Sequence, residues 1–203
     1  MHNHFNEYAN IRQLILNNNS KHVVEIGAGL GENLILLAGL RKELGFKLTS
    51  ISDNTLEIEG VDSIIGVSYL EIPKLAEFDF CIVDTDHNYW TLAKELIEID
   101  KKLSVNGIIA IHDVGMFYHY SGVCGEYFNN FTYPRKEIEP LIFTHGGLGD
   151  CLMDFLSEKR FDYKMVYFTE ESSGCAVIRK VQTKEIFVFC PSLNPVYAPV
   201  GAK

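Results

Sequence analysis

The chain contains a glycine-rich stretch, Glu25-Ile26-Gly27-Ala28-Gly29-Leu30-Gly31, from which its fold can be predicted. An apolar run at 22–27 leads into it and indicates a buried strand, and leucines at helical spacing follow it in 32–43. A glycine turn between a strand and a helix lets a ligand approach the backbone, while the N–H groups of the helix terminus point at that ligand. The sequence therefore predicts a ligand site where the first strand ends.

The rest of the chain repeats this alternation of strand and helix. Strands are predicted at 22–27, 47–52, 63–67, 78–83 and 108–111, and helices at 6–18, 32–43, 89–103 and about 150–158. Such alternation implies parallel βαβ units with right-handed crossovers. Two further runs, 163–169 and 174–181, indicate a hairpin. We therefore predict one α/β domain over 1–203, with a doubly wound, mostly parallel seven-stranded sheet and a C-terminal antiparallel hairpin.

Composition and charge exclude several classes of protein. The chain has 203 residues and a formal net charge of −9, so it repels phosphate backbones, and we expect no nucleic-acid partner. No apolar stretch reaches the roughly 18 residues that span a bilayer, and the polar start lacks a secretory signal, which predicts a cytoplasmic protein with no membrane partner. Five cysteines without a CxxC pair argue against a disulfide framework or a zinc cluster, and Cys81 is predicted to be an inert core residue.

The spacing of the glycines distinguishes two kinds of cofactor site. A dinucleotide-binding turn has the pattern GxGxxG, but Glu32 occupies the third glycine position here. The pattern is instead ExGxGxG, which resembles motif I of class I S-adenosylmethionine-dependent methyltransferases, whose glycine turn lies under the methionine portion of the cofactor. The C-terminal hairpin is a second point of resemblance. The resemblance implies the Rossmann-like methyltransferase fold and S-adenosylmethionine as the cofactor.

In that family an acidic residue at the end of the second strand holds the ribose hydroxyls, and Asp53 occupies the matching position. A carboxylate suits this role because it accepts two hydroxyl hydrogen bonds at once. Alternatively, Asp53 and Asn54 form a simple turn, and the glycine stretch is a tight connection without a ligand. The complete set of predicted cofactor-binding residues is Glu25, Gly27, Ala28, Gly29, Gly31, Asp53, Ser68 and Asp84.

Two further strand ends carry polar side chains that suit a metal. Asp84-Thr85-Asp86-His87 follows the fourth strand, and His112-Asp113 follows the fifth. Ligands of parallel α/β sheets bind outside the carboxyl ends of the strands, so these side chains are expected to meet beside the cofactor. Carboxylates suit Mg²⁺, whereas a histidine nitrogen moves the preference toward Mn²⁺, Fe²⁺ or Zn²⁺. We predict a divalent-cation site formed by Asp84, His112 and Asp113.

The same blocks resemble a group of small-molecule O-methyltransferases (methyltransferase domain 24). That group includes cephalosporin-hydroxylase-like and macrolide-sugar enzymes and is similar in plan to catechol O-methyltransferase. In those relatives the Asp after the fourth strand binds a divalent metal, and a Lys or His three positions later is the general base. The resemblance, over roughly 20–115 and the hairpin, implies catalytic roles for Asp84 and His87. An imidazole with an ordinary pKa of about 6.5 suits the deprotonation of an acidified hydroxyl. The implied acceptor is a sugar, a phenol or a natural product.

Other interpretations of these residues stay open. Asp84 and Asp86 are alternatively N-caps of the following helix, Asp113 is a turn residue, and the two histidines are structural. An aromatic-rich segment at about 115–149 is predicted to be a lid over the acceptor, or alternatively a hydrophobic plug or a homodimer contact. A non-catalytic S-adenosylmethionine-binding protein is the alternative function, and Glu32 disfavours a nicotinamide-dependent oxidoreductase.

Overall fold

A computed structural model describes residues 4–54, 56–85, 87–114, 147–169 and 174–181. The predicted lid falls almost wholly within 115–146 and therefore lies outside the described residues, as does Asp86. No helix in the described ranges is long and apolar enough to cross a membrane.

Every predicted strand and helix has a counterpart in the structure. The strands are β1 (His22–Ile26), β2 (Lys47–Ser52), β3 (Val61–Ile65), β4 (Phe78–Val83), β5 (Leu103–His112), β6 (Tyr163–Thr169) and β7 (Cys175–Lys180). The helices are α1 (His4–Asn18), α2 (Glu32–Leu44), α3 (Ser68–Glu71), α4 (Tyr89–Lys102) and α5 (Leu148–Glu158), and a turn of 3-10 helix spans Ile72–Lys74. The short α3 is an addition to the predicted elements.

The seven strands form one sheet in the order β3-β2-β1-β4-β5-β7-β6. The first five are parallel, and β7 runs antiparallel to both β5 and β6. The predicted mostly parallel, doubly wound sheet with a C-terminal antiparallel hairpin is therefore confirmed. The chain builds outward from β1 to β3 and then returns to β4 on the other side of β1. The carboxyl ends of β1 and β4 thus flank the switch point where ligands of such sheets bind.

The central strands supply side chains to both faces of the sheet, since successive residues point in opposite directions. Val24 and Ile26 of β1 join the core that contains the apolar residues of α4 and α5, whereas Val23 joins the core formed with α1 and α2. Cys81 lies in the first core and is fully buried, as predicted. Burial, and then the charge of Glu95, raise the pKa of its thiol well above the ordinary value, which makes the thiol unreactive.

The fifth strand is longer than predicted, because it begins at Leu103 rather than near Ile108. Its register with β4 pairs Phe78 with Leu103 but Phe80 with Ile108, so several residues of β5 bulge out of the ladder. Asn106 takes a φ of 67° within this bulge. An Asn-Gly pair is typical of turns, but here the bulge absorbs it inside a strand.

Candidate functional site

The candidate site lies where the carboxyl ends of β1 and β4 meet. The N–H of Gly27 donates to the carbonyl of Ile51 (2.9 Å), and the N–H of Asp84 donates to the carbonyl of Ile26 (2.8 Å). Gly27 has a φ of 88°, and a Cβ there would lie 1.9 Å from the carbonyl oxygen of Asp84. Only glycine permits this approach. The predicted cofactor turn and the first predicted metal ligand therefore pack directly against each other.

The two later glycines of the turn have different surroundings. Gly31 is the N-cap of α2 with a φ of 86°, and a Cβ there would lie 2.9 Å from the side chain of Leu56. Ala28 is buried. Gly29 has a φ of 51°, and a Cβ built on it meets no described atom within 4 Å. The backbone at Gly29 is therefore open to a ligand at the start of α2, as a cofactor turn requires.

Glu25 is a buried carboxyl group next to this turn. It is 1% exposed, and its Oε2 accepts a hydrogen bond from the Ser50 hydroxyl (3.2 Å). Its Oε1 is buried and has no hydrogen-bond partner among the described residues. Burial raises the pKa of Glu25 to about 8, the Ser50 hydroxyl opposes this, and the charge of Asp84 adds to it. A buried polar atom without a hydrogen-bond partner costs free energy, so Oε1 fits a polar group of a bound ligand.

Glu25 makes stability depend on pH in a predictable direction. Its pKa is about 8 in the fold against an ordinary 4.5. Its contribution to the free energy of unfolding is therefore full below about pH 4.5 and is lost as the pH rises through about 8. Between these two pH values, we expect the free energy of unfolding of the wild type to fall relative to that of Glu25→Gln by on the order of 1.4 kcal/mol per pH unit. Urea unfolding of both proteins at several pH values measures this difference. Parallel pH dependences would contradict a protonated Glu25 in the fold.

Asp53 and Ser68 lie at the ends of the next two strands. Asp53 is exposed directly after β2, and its Oδ1 accepts from the Ser52 hydroxyl (3.4 Å). The N–H of Asn54 donates to the same hydroxyl, so Ser52 supplies the turn contact and the Asp53 carboxylate stays accessible to a ligand. Ser68 is the first residue of α3 and is buried, and its hydroxyl donates to Oε1 of Glu95 (2.5 Å). Cofactor binding by Asp53 and Ser68 stays a prediction.

The ends of β4 and β5 bring two carboxylates and two imidazoles together. His87 Nε2 lies 2.9 Å from Asp113 Oδ2 and 3.5 Å from Asp84 Oδ1. His112 Nδ1 lies 3.0 Å from Asp113 Oδ1 and 3.7 Å from Asp84 Oδ1. Ligand atoms of Asp84, His87 and Asp113 all lie within 4.8 Å of one another. These two oxygens and one nitrogen fit a divalent cation, and the nitrogen suits a transition metal better than Mg²⁺.

The composition of this group differs from the predicted set, which had His112 as the nitrogen ligand. The structure brings His87 into the group with metal-ligand spacing and places His112 beside it. His87 has a φ of 52° and Asp113 a φ of 60°. These left-handed conformations are rare for residues other than glycine and occur often at functional sites. Spacing along the chain did not reveal them.

The cluster is electrostatically coupled. Burial raises the pKa of Asp84, but hydrogen bonds with His112 and then His87 outweigh burial and bring that pKa below its ordinary value. Burial lowers the pKa of His87, but hydrogen bonds with Asp113 and Asp84 outweigh it and raise that pKa to about 9. The contacts with both carboxylates therefore favour the imidazolium form of His87. A cation held by the same carboxylates would favour the neutral ring that a general base requires.

Helix α4 begins after Asn88 rather than after Asp84. Its N-cap is Asn88, whose Oδ1 accepts from the N–H of Thr91 (2.9 Å). The N-cap interpretation of Asp84 is therefore wrong. The sequence did not predict a further contact, in which Asn33 Nδ2 donates to Asp84 Oδ2 (3.3 Å). The signal for it was a polar residue in the first turn of α2, directly after the glycine stretch.

No family model and no curated protein matches the chain. Several solved methyltransferase structures are similar to it. The MycE methyltransferase of the mycinamycin biosynthetic pathway, solved with Mg and SAH, is 14% identical with a TM-score of 0.61 over 87% of this chain and 50% of MycE. The chain thus spans about half the length of that protein. SAH-bound PaMTH1 from Podospora anserina is 16% identical with a TM-score of 0.58 over 87% of this chain and 78% of that one.

The O-methyltransferase TomG from Streptomyces achromogenes, solved with SAM, is 14% identical with a TM-score of 0.57 over 87% of this chain and 80% of TomG. At these identities the likeness concerns the fold. The strand order, the switch point between β1 and β4 and the antiparallel hairpin agree with it. The chain therefore has the Rossmann-like fold of class I S-adenosylmethionine-dependent O-methyltransferases.

Proposed function

We propose that the chain is an S-adenosylmethionine-dependent methyltransferase that methylates a hydroxyl group of a small molecule with the help of a divalent cation. This proposal rests on the contact between the glycine turn and the residue that follows β4. Gly27 of the cofactor turn packs on the backbone of Asp84, whose carboxylate belongs to the group with metal-ligand spacing. A methyl donor on the turn and a hydroxyl at the carboxylates would be neighbours. Alignment of the two reactants is the main requirement of a methyl transfer.

The cofactor would lie across the ends of β1 to β4. The backbone of 27–31, including Ala28, Gly29 and Gly31, would hold the methionine portion. Glu25 Oε1, the buried atom without a partner described above, would hydrogen-bond to a polar group of that portion. Asp53 would hold the ribose hydroxyls, because its carboxylate is accessible at the end of β2. Ser68 and, through its backbone, Asp84 would complete the site.

The cation would be held by carboxylate oxygens of Asp84 and Asp113, with His112 as the predicted nitrogen ligand. When bound, a divalent cation acidifies a coordinated hydroxyl and holds it in place. Mg²⁺ is the expected cation if oxygens dominate the site, and Mn²⁺, Fe²⁺ or Zn²⁺ if a nitrogen takes part.

His87 is the proposed proton acceptor. Its Nε2 lies within 3.5 Å of an oxygen of each carboxylate, in reach of a hydroxyl bound at them. In the transfer, the acceptor oxygen forms a bond to the methyl carbon and the bond from that carbon to the sulfonium sulfur breaks. The hydroxyl proton passes to Nε2. The products are the methyl ether and S-adenosylhomocysteine.

We expect His87→Gln to lower kcat by about a hundredfold or more while the affinity for Mn²⁺ stays within about threefold. Loss of a base slows the proton transfer but leaves the carboxylates in place. Steady-state kinetics and Mn²⁺ titration measure the two effects. His22→Gln is the control, because His22 contacts Thr49 and the carbonyl of Glu77 at the opposite end of β1. A fall of tenfold or more in Mn²⁺ affinity would instead mean that His87 helps to hold the metal, directly or through the carboxylates.

Transfer of a labelled methyl group tests the function as a whole. The chain is incubated with methyl-labelled S-adenosylmethionine and a panel of polyols and catechols, with and without Mg²⁺ or Mn²⁺. We expect label in at least one hydroxylated acceptor, and less label after chelation of the metal. Cofactor binding without transfer to any acceptor would favour the non-catalytic alternative.

Two of the similar structures support a proposal for the acceptor class. MycE was also solved with mycinamycin VI, and TomG is involved in tomaymycin synthesis. We accordingly propose a sugar, a phenol or a natural product as the acceptor. We also propose that 1–203 is a single domain and that the aromatic segment at about 115–149 is the acceptor lid, because the described chain enters that segment directly after Asp113 and Val114. A homodimer contact stays the alternative for this segment.

A further inference from the structure

Glu95 is a buried acidic residue that the proposed reaction does not use. It lies on the buried face of α4, and none of its surface is exposed. Oε1 accepts from the Ser68 hydroxyl (2.5 Å), and Oε2 accepts from the Thr85 hydroxyl (3.1 Å). Its helix neighbours Leu92 and Leu96 are buried in the core. An apolar residue would pack at this position without the desolvation cost of a carboxyl group, so packing alone does not explain a glutamate there.

The two hydroxyls that Glu95 holds belong to opposite sides of the proposed cofactor site. Ser68 begins α3 after β3, and Thr85 follows Asp84 after β4. In the sheet, β3 and β4 are separated by β2 and β1, whose ends carry Asp53 and the glycine turn. The Glu95 carboxyl group therefore connects the segments that follow β3 and β4. These are the outer two of the four strands across whose ends the cofactor would lie.

Thr85 also touches the glycine turn. A Cβ at Gly27 would lie 3.0 Å from the Cα of Thr85, next to its contact with the Asp84 carbonyl. The hydroxyl that Glu95 holds thus belongs to a residue packed on the turn. The rings of Tyr69 and Trp90 form a second link between α3 and α4, with an edge-on contact at 5.3 Å between centroids. Hydrogen bonds are directional, so the carboxyl group constrains the orientation of the two sides in addition to this ring contact.

We propose that Glu95 is a positioning residue for the cofactor, which acts through Ser68 and Thr85 to set the separation between the two sides of the site. The inference rests on the proposed function, because it assumes that S-adenosylmethionine lies across the ends of β1 to β4. Glu95 itself touches no reacting atom. Its loss is expected to weaken cofactor binding in a chain that is still folded.

Calorimetric titration of the whole chain with S-adenosylhomocysteine tests this inference. Glu95→Gln keeps the size of the side chain but replaces one acceptor oxygen by an NH₂ donor, so one hydroxyl loses its acceptor. We expect the affinity to fall about tenfold, the effect of one lost hydrogen bond. Glu98→Gln is the matched control on the same helix, because Glu98 pairs with Lys101 (2.7 Å) at the surface. The affinity of this variant is expected to stay within about twofold of that of the wild type.

A double variant that lacks both hydroxyls distinguishes a positioning role of Glu95 from a merely structural one. In Ser68→Ala/Thr85→Val, Glu95 holds neither hydroxyl, so adding Glu95→Gln is expected to leave the affinity for S-adenosylhomocysteine unchanged. If Glu95→Gln lowered the affinity equally in the wild-type chain and in the double variant, the inference would be overturned. An unchanged affinity in Glu95→Gln alone would also overturn it. If Glu95→Gln does not fold, Thr85→Val carries the same tenfold prediction. A wild-type chain that binds no S-adenosylhomocysteine would instead refute the proposed function, and the inference with it.

Discussion

Replacing Asp84 with alanine is expected to reduce methyl transfer at least about a thousandfold, because the cation site loses a carboxylate and several kcal/mol of metal assistance with it. Cofactor binding is expected to persist. The turn contacts residue 84 through its carbonyl oxygen, and the N–H of residue 84 donates to Ile26, so alanine keeps both backbone contacts. Steady-state kinetics and titration with S-adenosylmethionine measure the two properties separately.

Asp62→Ala is the control for this substitution. Asp62 lies in the edge strand β3, where its exposed carboxylate pairs with Lys47 (3.2 Å), and exposed pairs contribute little. We expect unchanged turnover in this variant. Turnover that survives in Asp84→Ala would show that the transfer does not depend on the carboxylates at the ends of β4 and β5.

Replacing Gly27 with alanine is expected to destabilise the fold by roughly 3 kcal/mol or more and to abolish cofactor binding. The new Cβ would lie 1.9 Å from the Asp84 carbonyl oxygen and 2.6 Å from its carbon, so the end of β4 has to move. The φ of 88° adds strain for any residue with a side chain. Urea unfolding and cofactor titration measure these losses.

The Gly45→Ala variant measures the backbone strain of a positive φ without the steric clash that occurs at Gly27. Gly45 ends α2 with a similar φ of 76°, but a Cβ there meets no described atom within 4 Å. We expect this variant to lose only about 1 kcal/mol of stability and to keep its cofactor affinity. If the two variants were equally stable, the close packing of the turn on β4 would not be a real constraint on the site.

Much of the fold could be predicted because its signals are local. Apolar runs define the strands, and the glycine stretch locates the end of β1, so the alternation implied a parallel sheet before any pairing was known. The start of β5 at Leu103 could not be predicted in the same way. Asn106 and Gly107 have the sequence of a turn, and only the register with β4 shows that they bulge within a strand.

The site was predictable where residues follow strand ends directly. Asp84 and Asp113 meet because adjacent parallel strands end at the same edge. The sequence predicted His87 beside these carboxylates but not its left-handed backbone conformation, which no local pattern signals. The role of Glu95 was hidden for another reason. Its two partners lie 27 and 10 positions away in the chain, and only the packing of α4 on the sheet brings them together.

Calorimetric titration of the wild-type chain with S-adenosylmethionine is the decisive test of the proposed cofactor site. The turn at 27–31, open at Gly29 and bordered by the buried Oε1 of Glu25, is the proposed binding site for this ligand. We expect saturable binding at one site per chain below millimolar ligand, and we expect Asp84→Ala to retain it. No binding at millimolar S-adenosylmethionine would contradict this expectation.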